Sequence, residues 1–317
     1  MNEKFDTIIV VVPNDFLRLR SNYKRLLKYL PSEHLYFVGN EEVGRLVEET
    51  DFGDARDRVG FINENDIIPF DKVNAVMQKH MEGILGGENV PRGYTGWYYQ
   101  QFLKMEYYKY SNNEYYMSWD GDTVPTKEFS MFKEDGSPFL DMKHELNEYY
   151  FETMSVLIPG LKKFVEPSFI SEHMLFKASI MKQMIEKIEG NDKLLGDTYY
   201  EKIIRCIEPG KINLGAFSEF ETYGSFLCLT APYIYRLREW HSFRLAGEFY
   251  DPETIDEEDY KWLSRDFDAI SFEKGMSVRE DHKNLFDNKE YQSKLSARQM
   301  LEIAQEEFDD GYTEVWK

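Results

Sequence analysis

Thr7-Ile8-Ile9-Val10-Val11-Val12-Pro13 is a continuous, mostly β-branched apolar run closed by a proline. A run without polar alternation is what a strand covered on both faces looks like, as in a parallel sheet. Outward from it, strand and helix signals alternate. Asn14 or Asp15 can cap a helix in which Phe16, Leu19, Tyr23, Leu26, Leu27 and Leu30 recur at helical spacing, with Pro31 just past its end. Leu35–Val38, closed by Gly39-Asn40, reads as a second strand. Val59–Ile62, passing into the polar stretch Asn63–Asp66, reads as a third. A glycine-rich connection from Gly83 to Gly96 then leads into a helix expected from Trp97 to about Tyr110. The apolar run Glu114-Tyr115-Tyr116-Met117-Ser118 follows, and it passes into Trp119-Asp120-Gly121-Asp122-Thr123-Val124-Pro125. This order predicts an α/β fold: an open, mostly parallel sheet flanked by helices, with ligands beyond the strands' carboxyl ends.

After Pro125 the order loosens. Met181, Met184, Ile185 and Ile188 mark an amphipathic helix stopped by Gly190. From Asp251 the composition turns acidic, with Asp256-Glu257-Glu258-Asp259. The last helix opens with Ser296 and Gln299 at capping-box spacing and puts Leu301, Ala304 and Phe308 on one side. Residues 1–250 therefore read as one domain, and residues 251–317 as an acidic, mainly helical C-terminal extension packed on the core.

At 317 residues the chain can bury a large core, and no apolar stretch reaches the length of a membrane span. The N-terminal apolar run is too short and its flanks too mixed in charge for a signal peptide. Cys206 and Cys228 make neither a disulfide framework nor a metal cluster, which predicts a reducing, cytoplasmic setting. The formal charge of −20, from 58 acidic against 38 basic residues, repels nucleic acid and anionic lipid, so no nucleic-acid partner is expected. An anionic substrate would need a cation or local basic residues to offset the same repulsion.

The candidate site begins at Asp120 and Asp122. In an extended segment residues i and i+2 point the same way, so the two carboxylates can share one spot. Hard oxygen ligands at a strand's carboxyl end suit Mg²⁺ or Mn²⁺, which usually accompany a phosphorylated substrate. The plain alternative is an acidic turn closed by Pro125. Gly93 and Gly96 allow a ligand close to the backbone, and the following helix aims its N–H groups there. Gln101 and Lys104, three apart, share a face that can reach a phosphate or nucleoside, and Arg92 and Trp97 flank the same glycines. Otherwise this is an aromatic packing helix. Neither a P-loop nor a Gly-x-Gly-x-x-Gly fingerprint is present. Glu172, beside His173 in an apolar setting, is a candidate general base, or a salt-bridged glutamate. Glu219 and Glu221 share a face if extended and can meet sugar hydroxyls or water. His241 is a candidate third metal ligand, or a packing histidine. Aromatic residues form 16 % of the chain, with 22 Tyr; such rings stack on sugar faces but serve mostly as core and rim.

Taken in order, Ile8–Pro13, Gly96–Met105, Trp119–Pro125, Glu172–Phe176 and Ser218–Gly224 resemble a family of bacterial glycosyltransferase-like proteins of polysaccharide biosynthesis. The resemblance spans about residues 6–245; the acidic stretch after 250 falls outside it. It implies an A-type nucleotide-sugar transferase with an Asp-x-Asp motif, in which Asp122 is the principal metal ligand and Asp120 its partner at the ribose or a metal-bound water. It also implies a Mn²⁺ or Mg²⁺ cofactor, a nucleotide-sugar donor and a glycan or lipid-linked acceptor. Peripheral association with membrane-bound assembly machinery would accompany that role. The expected enzyme is then a metal-dependent glycosyltransferase, with Asp120, Gln101, Lys104, Arg92 and Trp97 at the donor and Glu172, or Glu219 and Glu221, at the acceptor. Two rivals stand beside it. A haloacid-dehalogenase-type phosphatase also uses Asp-x-Asp, but at the end of its first strand, and Asp309-Asp310 follows a helix where that fold needs a strand. The other rival is a non-catalytic carbohydrate-binding protein on the same fold.

Overall fold

The computed structural model describes residues 3–86, 88–144 and 147–308. A five-stranded central sheet is built from β1 (Phe5–Val10), β2 (Leu35–Gly39), β3 (Val59–Asn63), β4 (Tyr115–Trp119) and a later strand, His173–Lys177. That later strand is β7, and three short strands lie around it in the chain: β5 (Thr123–Pro125), β6 (Phe139–Met142) and β8 (Arg236–Glu239). The last two are β9 (Ser242–Phe243) and β10 (Ala269–Ser271). The central order is β3-β2-β1-β4-β7. All neighbours are parallel except β4 and β7, which run antiparallel with Trp119 opposite His173.

Successive residues of a strand face opposite sides, and β4 is buried at every position and β1 at all but its last. Both faces of the sheet are therefore covered. Helices Pro13–Leu19 and Glu41–Glu49 pack together near β2 and β3, while Arg92–Glu106 packs on β1 and Ala178–Glu189 on β7. The expected open, mostly parallel α/β sheet flanked by helices is what forms. The helix ends at Gly190 and the Ser296/Gln299 capping pair also form as read: the Ser296 backbone N–H donates to Gln299 Oε1 at 2.9 Å. The side chains of Ala304 and Phe308, and Asp309-Asp310, lie outside the described residues.

Some boundaries differ from the reading. The first helix has no side-chain cap from Asn14 or Asp15; Pro13 occupies its first turn, where its missing N–H costs nothing. The connection taken as glycine-rich loop is mostly helix. Phe70–Leu85 is a 16-residue helix, and the next helix begins at Arg92, five residues before Trp97. The chain after residue 250 is mainly helical but is not laid over a finished core. β10 pairs antiparallel with β5 and parallel with β9, which joins the chain after residue 250 to earlier strands. Arg25 fastens the same region. Its Nε donates to the Pro125 carbonyl at 2.9 Å, its Nη1 meets Glu257 at 2.7 Å, and its guanidinium lies 3.7 Å over the Tyr260 ring. Among the described residues no helix is long and apolar enough to cross a membrane.

Candidate active site

β1 leads to β2 and β3 on one side of itself, and the chain then returns to place β4 on its other side. The connections part between β1 and β4, and the crevice at such a switch point is where open α/β sheets hold ligands. A cleft of about 580 Å³ opens there. Val10, Val11 and Val12 from the end of β1 form one wall, and Asp120, Gly121 and Asp122 from the end of β4 form another. Arg92, Gly93, Gly96, Trp97 and Gln100 close a third side from the first turns of their helix. Arg18, Lys274, Asp15 and Glu64 supply further charge.

The two aspartates meet the cleft on a tight turn rather than on an extended segment. The Thr123 backbone N–H donates to the Asp120 carbonyl at 3.2 Å, reversing the chain into β5. The turn is pinned on three sides. Trp119, fully buried, donates its indole N–H to the Thr123 carbonyl at 2.8 Å. The Asp120 N–H donates to the Glu172 carbonyl and the Phe272 N–H to the Asp122 carbonyl, both at 2.8 Å. Thr123 Oγ1 adds a bond of 2.7 Å to Ser271 Oγ. The residue between the aspartates must be glycine for a packing reason: an alanine Cβ at position 121 would overlap Val11 Cγ1 and crowd Ile9. Gly121→Ala should cost about 1–3 kcal/mol in chemical unfolding, as overpacked sites do. Gly93→Ala is the contrast, because a Cβ there meets no atom within 4 Å. It should leave unfolding unchanged or slightly favourable while narrowing the cleft, so a ligand of the cleft should bind less tightly.

Burial pushes the Asp122 carboxyl up to about 7, and the nearby Asp120 and Glu273 carboxylates push it the same way. The turn thus gathers negative charge that the chain does not balance at Asp122, a donor set that fits a hard divalent cation. Among the described residues no three His, Cys, Asp or Glu side chains converge, so the turn itself offers two carboxylate ligands. That is the usual arrangement for Mg²⁺, which completes its shell with phosphate oxygens and water.

Other expected site residues are placed differently. Because the helix begins at Arg92, its cleft face carries Arg92, Gly93, Gly96, Trp97 and Gln100, while Gln101 and Lys104 lie on the buried stripe beside it. Arg92 and Trp97 are on the wall as expected. Gln101 and Lys104 are not; Lys104 holds Asp120 from behind, and Gln101 meets the start of the Glu219 helix. Lys104 Nζ sits 2.7 Å from Asp120 Oδ1 and 2.9 Å from Glu219 Oε1. Burial opposes its charge, but the Asp120 and Glu219 carboxylates override this and raise its pKa. The Gln101 side-chain carbonyl accepts from the Glu219 N–H at 3.0 Å.

Glu219 and Glu221 do not share an extended face. Ser218 caps a helix from Glu219 to Thr230, so the spacing is helical and the two carboxylates part. Glu219 meets Lys104, and Glu221 accepts from Ser168 Oγ at 2.8 Å and the Phe169 N–H at 3.0 Å. Ser218 and Glu221 stand at capping spacing, a signal that the polar–aromatic alternation masked.

Glu172 is buried between Lys143 Nζ and Ser242 Oγ, each 2.7 Å from one of its carboxylate oxygens, and is not on the cleft wall. Glu172 is held in a salt bridge with Lys143, off the cleft lining. It is also the non-glycine residue with positive φ, +61°, among those described, a strained conformation held by these bonds. Glu172→Gln strands the Lys143 charge, and should lower stability by ~3–5 kcal/mol in thermal unfolding. An unchanged melting temperature with slowed turnover would restore the role of base. His241 accepts at Nδ1 from Arg298 at 2.9 Å and does not line the cleft.

Asp15, Arg18, Glu64 and Lys274 were not read in the sequence as cleft residues. The first three follow the carboxyl ends of β1 and β3, which the switch-point rule alone could have flagged. Burial raises the Glu64 carboxyl, with Arg92 opposing. Lys274, beyond β10, has no local signal.

No protein family and no curated protein sequence match this chain. Solved structures do resemble it. Mouse xyloside xylosyltransferase 1, in its apo form, is 14 % identical over 88 % of this chain and 100 % of that one, with a TM-score of 0.43. The apo WbbM bifunctional glycosyltransferase is 12 % identical over 96 % of this chain and 52 % of that one, TM-score 0.41, so the chain spans about half of it. The galactosyltransferase LgtC, in complex with donor and acceptor sugar analogues, is 10 % identical over 92 % and 100 %, TM-score 0.37. Each of these neighbours is a glycosyltransferase. At such identities and TM-scores the likeness assigns no role to any residue of this chain.

Proposed function

We propose that this protein is a metal-dependent glycosyltransferase that moves a sugar from a nucleotide-sugar donor to a glycan or lipid-linked acceptor in surface polysaccharide synthesis. The observation that carries the reading is the pairing of an aspartate turn and a helix N-terminus across the β1/β4 switch point. Asp122 and Asp120 would hold Mn²⁺ or Mg²⁺, which when bound stabilises the charge gathering on the departing diphosphate. The chain's own part is to receive that diphosphate. Arg18, Arg92 and Lys274 line the cleft as cations, and the first turn of the Arg92–Glu106 helix presents N–H groups that favour an anion. Val10–Val12 and Trp97 give the nucleoside apolar surface. Lys104 and Glu219 act as positioning residues that hold Asp120.

A panel of nucleotide sugars with Mn²⁺, followed by release of free nucleoside diphosphate, tests this without an acceptor. Slow hydrolysis of one donor, lost on removing the metal with chelator, is the expected result. If no donor is bound or hydrolysed with any divalent ion, the reading fails. Release of inorganic phosphate from phosphomonoesters in the same assay would instead support the phosphatase alternative.

A further inference from the structure

We infer that a second cavity beside the cleft is a sugar-binding site for the acceptor. The inference rests on the transferase reading above. The cavity holds about 410 Å³ and shares Gly93 and Trp97 with the main cleft, so one indole forms the partition between them. Its other walls are Tyr94, Tyr150, Asn213 and Leu214. Trp97 and Leu214 are among the large apolar side chains left substantially exposed. Gly215 keeps the partition in place: its backbone is left-handed, φ +63°, and a Cβ there would press within 3.1 Å of the Trp97 ring.

The chemistry of the lining chooses the occupant. Every described residue around this cavity is uncharged, whereas the main cleft carries Arg18, Arg92 and Lys274. A phosphate gains nothing here. Three aromatic rings with one side-chain amide instead suit a neutral ligand with apolar faces and hydroxyl edges, which is a pyranose. A sugar seated against Trp97 would lie one ring's thickness from the donor's cleft, where an acceptor hydroxyl is needed. The carboxylates Glu172, Glu219 and Glu221 are sealed in ion pairs or hydrogen bonds elsewhere, so the acceptor side of the site is defined by stacking rather than by acid groups.

The test uses the full chain and a panel of methyl pyranosides in the gluco, galacto, manno and N-acetylglucosamine series, followed by saturation-transfer NMR. At least one should bind without metal or nucleotide. Tyr94→Ala should weaken it about tenfold, the scale of losing one aromatic platform, and Tyr94→Phe should restore it. Calorimetry of nucleoside diphosphates with Mn²⁺ should be unchanged in Tyr94→Ala. If no pyranoside binds the wild-type chain, or if Tyr94→Ala binds it equally well, the inference is overturned. Weakened nucleoside diphosphate binding in Tyr94→Ala would also overturn it, by placing the nucleobase in this cavity. Binding of a pyranoside by a chain that turns over no donor would overturn the transferase reading and leave the sugar site standing.

Discussion

Asp122→Asn should abolish metal-dependent binding of a nucleoside diphosphate and lower donor turnover by ~10²–10³-fold or more, the scale of losing a metal's several kcal/mol of charge stabilisation. The same substitution should make the ligand-free protein more stable at pH 8. The sign follows from the raised carboxyl. With the folded-state value at about 7 against an ordinary 3.8, the folded chain holds more protons than the unfolded chain between roughly pH 4 and 7. Stability therefore falls as pH rises through that window, and the deficit is complete above it. Asparagine removes the deficit, on the order of 2–4 kcal/mol. Metal affinity of the native chain should move the opposite way and rise from pH 5.5 to 8, because the ligand must be ionised. Thermal unfolding with and without Mn²⁺ across that range reads both the stability and the metal affinity. Intact metal binding in the asparagine variant, or a variant less stable than wild type at pH 8, would remove Asp122 from its assigned place.

Lys104→Met should be among the most destabilising single changes near the site. It leaves Glu219, buried with Lys104 as its ion-pair partner, without a counter-charge, and frees Asp120. Breaking a buried pair from one side costs ~3–5 kcal/mol, read as a fall in melting temperature of roughly 6–15 °C. Adding Glu219→Leu should recover much of that loss, since replacing both partners by apolar groups leaves no orphan charge. Asp120 would not be stranded in the double variant because its side chain remains about a third exposed. If the double variant is as unstable as the single one, the pair is not the reason for the loss. Donor affinity should stay below wild type in both, because Asp120 has lost its anchor.

The sheet was legible because its strands are buried on both faces and so appear as unbroken apolar runs; Ile8–Val10 and Tyr115–Trp119 could hardly be anything else. Asp120 and Asp122 followed from position alone, although they reach the cleft by a turn and not by strand alternation. Helix registers were harder to read. Pro91 and Gly93 made the start of a helix look like a loop, and that five-residue error moved Gln101 and Lys104 from the buried stripe to the cleft. The residues 217–224 alternate polar and aromatic, which mimics a strand, yet their helix is buried along residues 219–227, and Ser218, Glu219 and Glu221 pair inward. Glu172 was located correctly in an apolar setting, but its two partners, Lys143 and Ser242, lie 29 and 70 residues away and only tertiary structure joins them. Two of the three basic residues at the cleft were invisible for the same reason: Arg18 and Lys274 come from opposite ends of the chain.

The strand Ala269–Ser271, pinned between β5 and β9, gives the site a place in time. The aspartate turn at residues 120–123 leaves the ribosome early, but the Phe272 and Ser271 bonds that fasten it belong to chain made about 150 residues later. At ~5–20 residues per second, roughly 7–30 s of synthesis separates the two. Through that interval a nascent chain can own its parallel sheet and both carboxylates while the turn that presents them remains unlatched. Competence to hold a metal and a diphosphate is thus reserved for polypeptides that have been translated past residue 272.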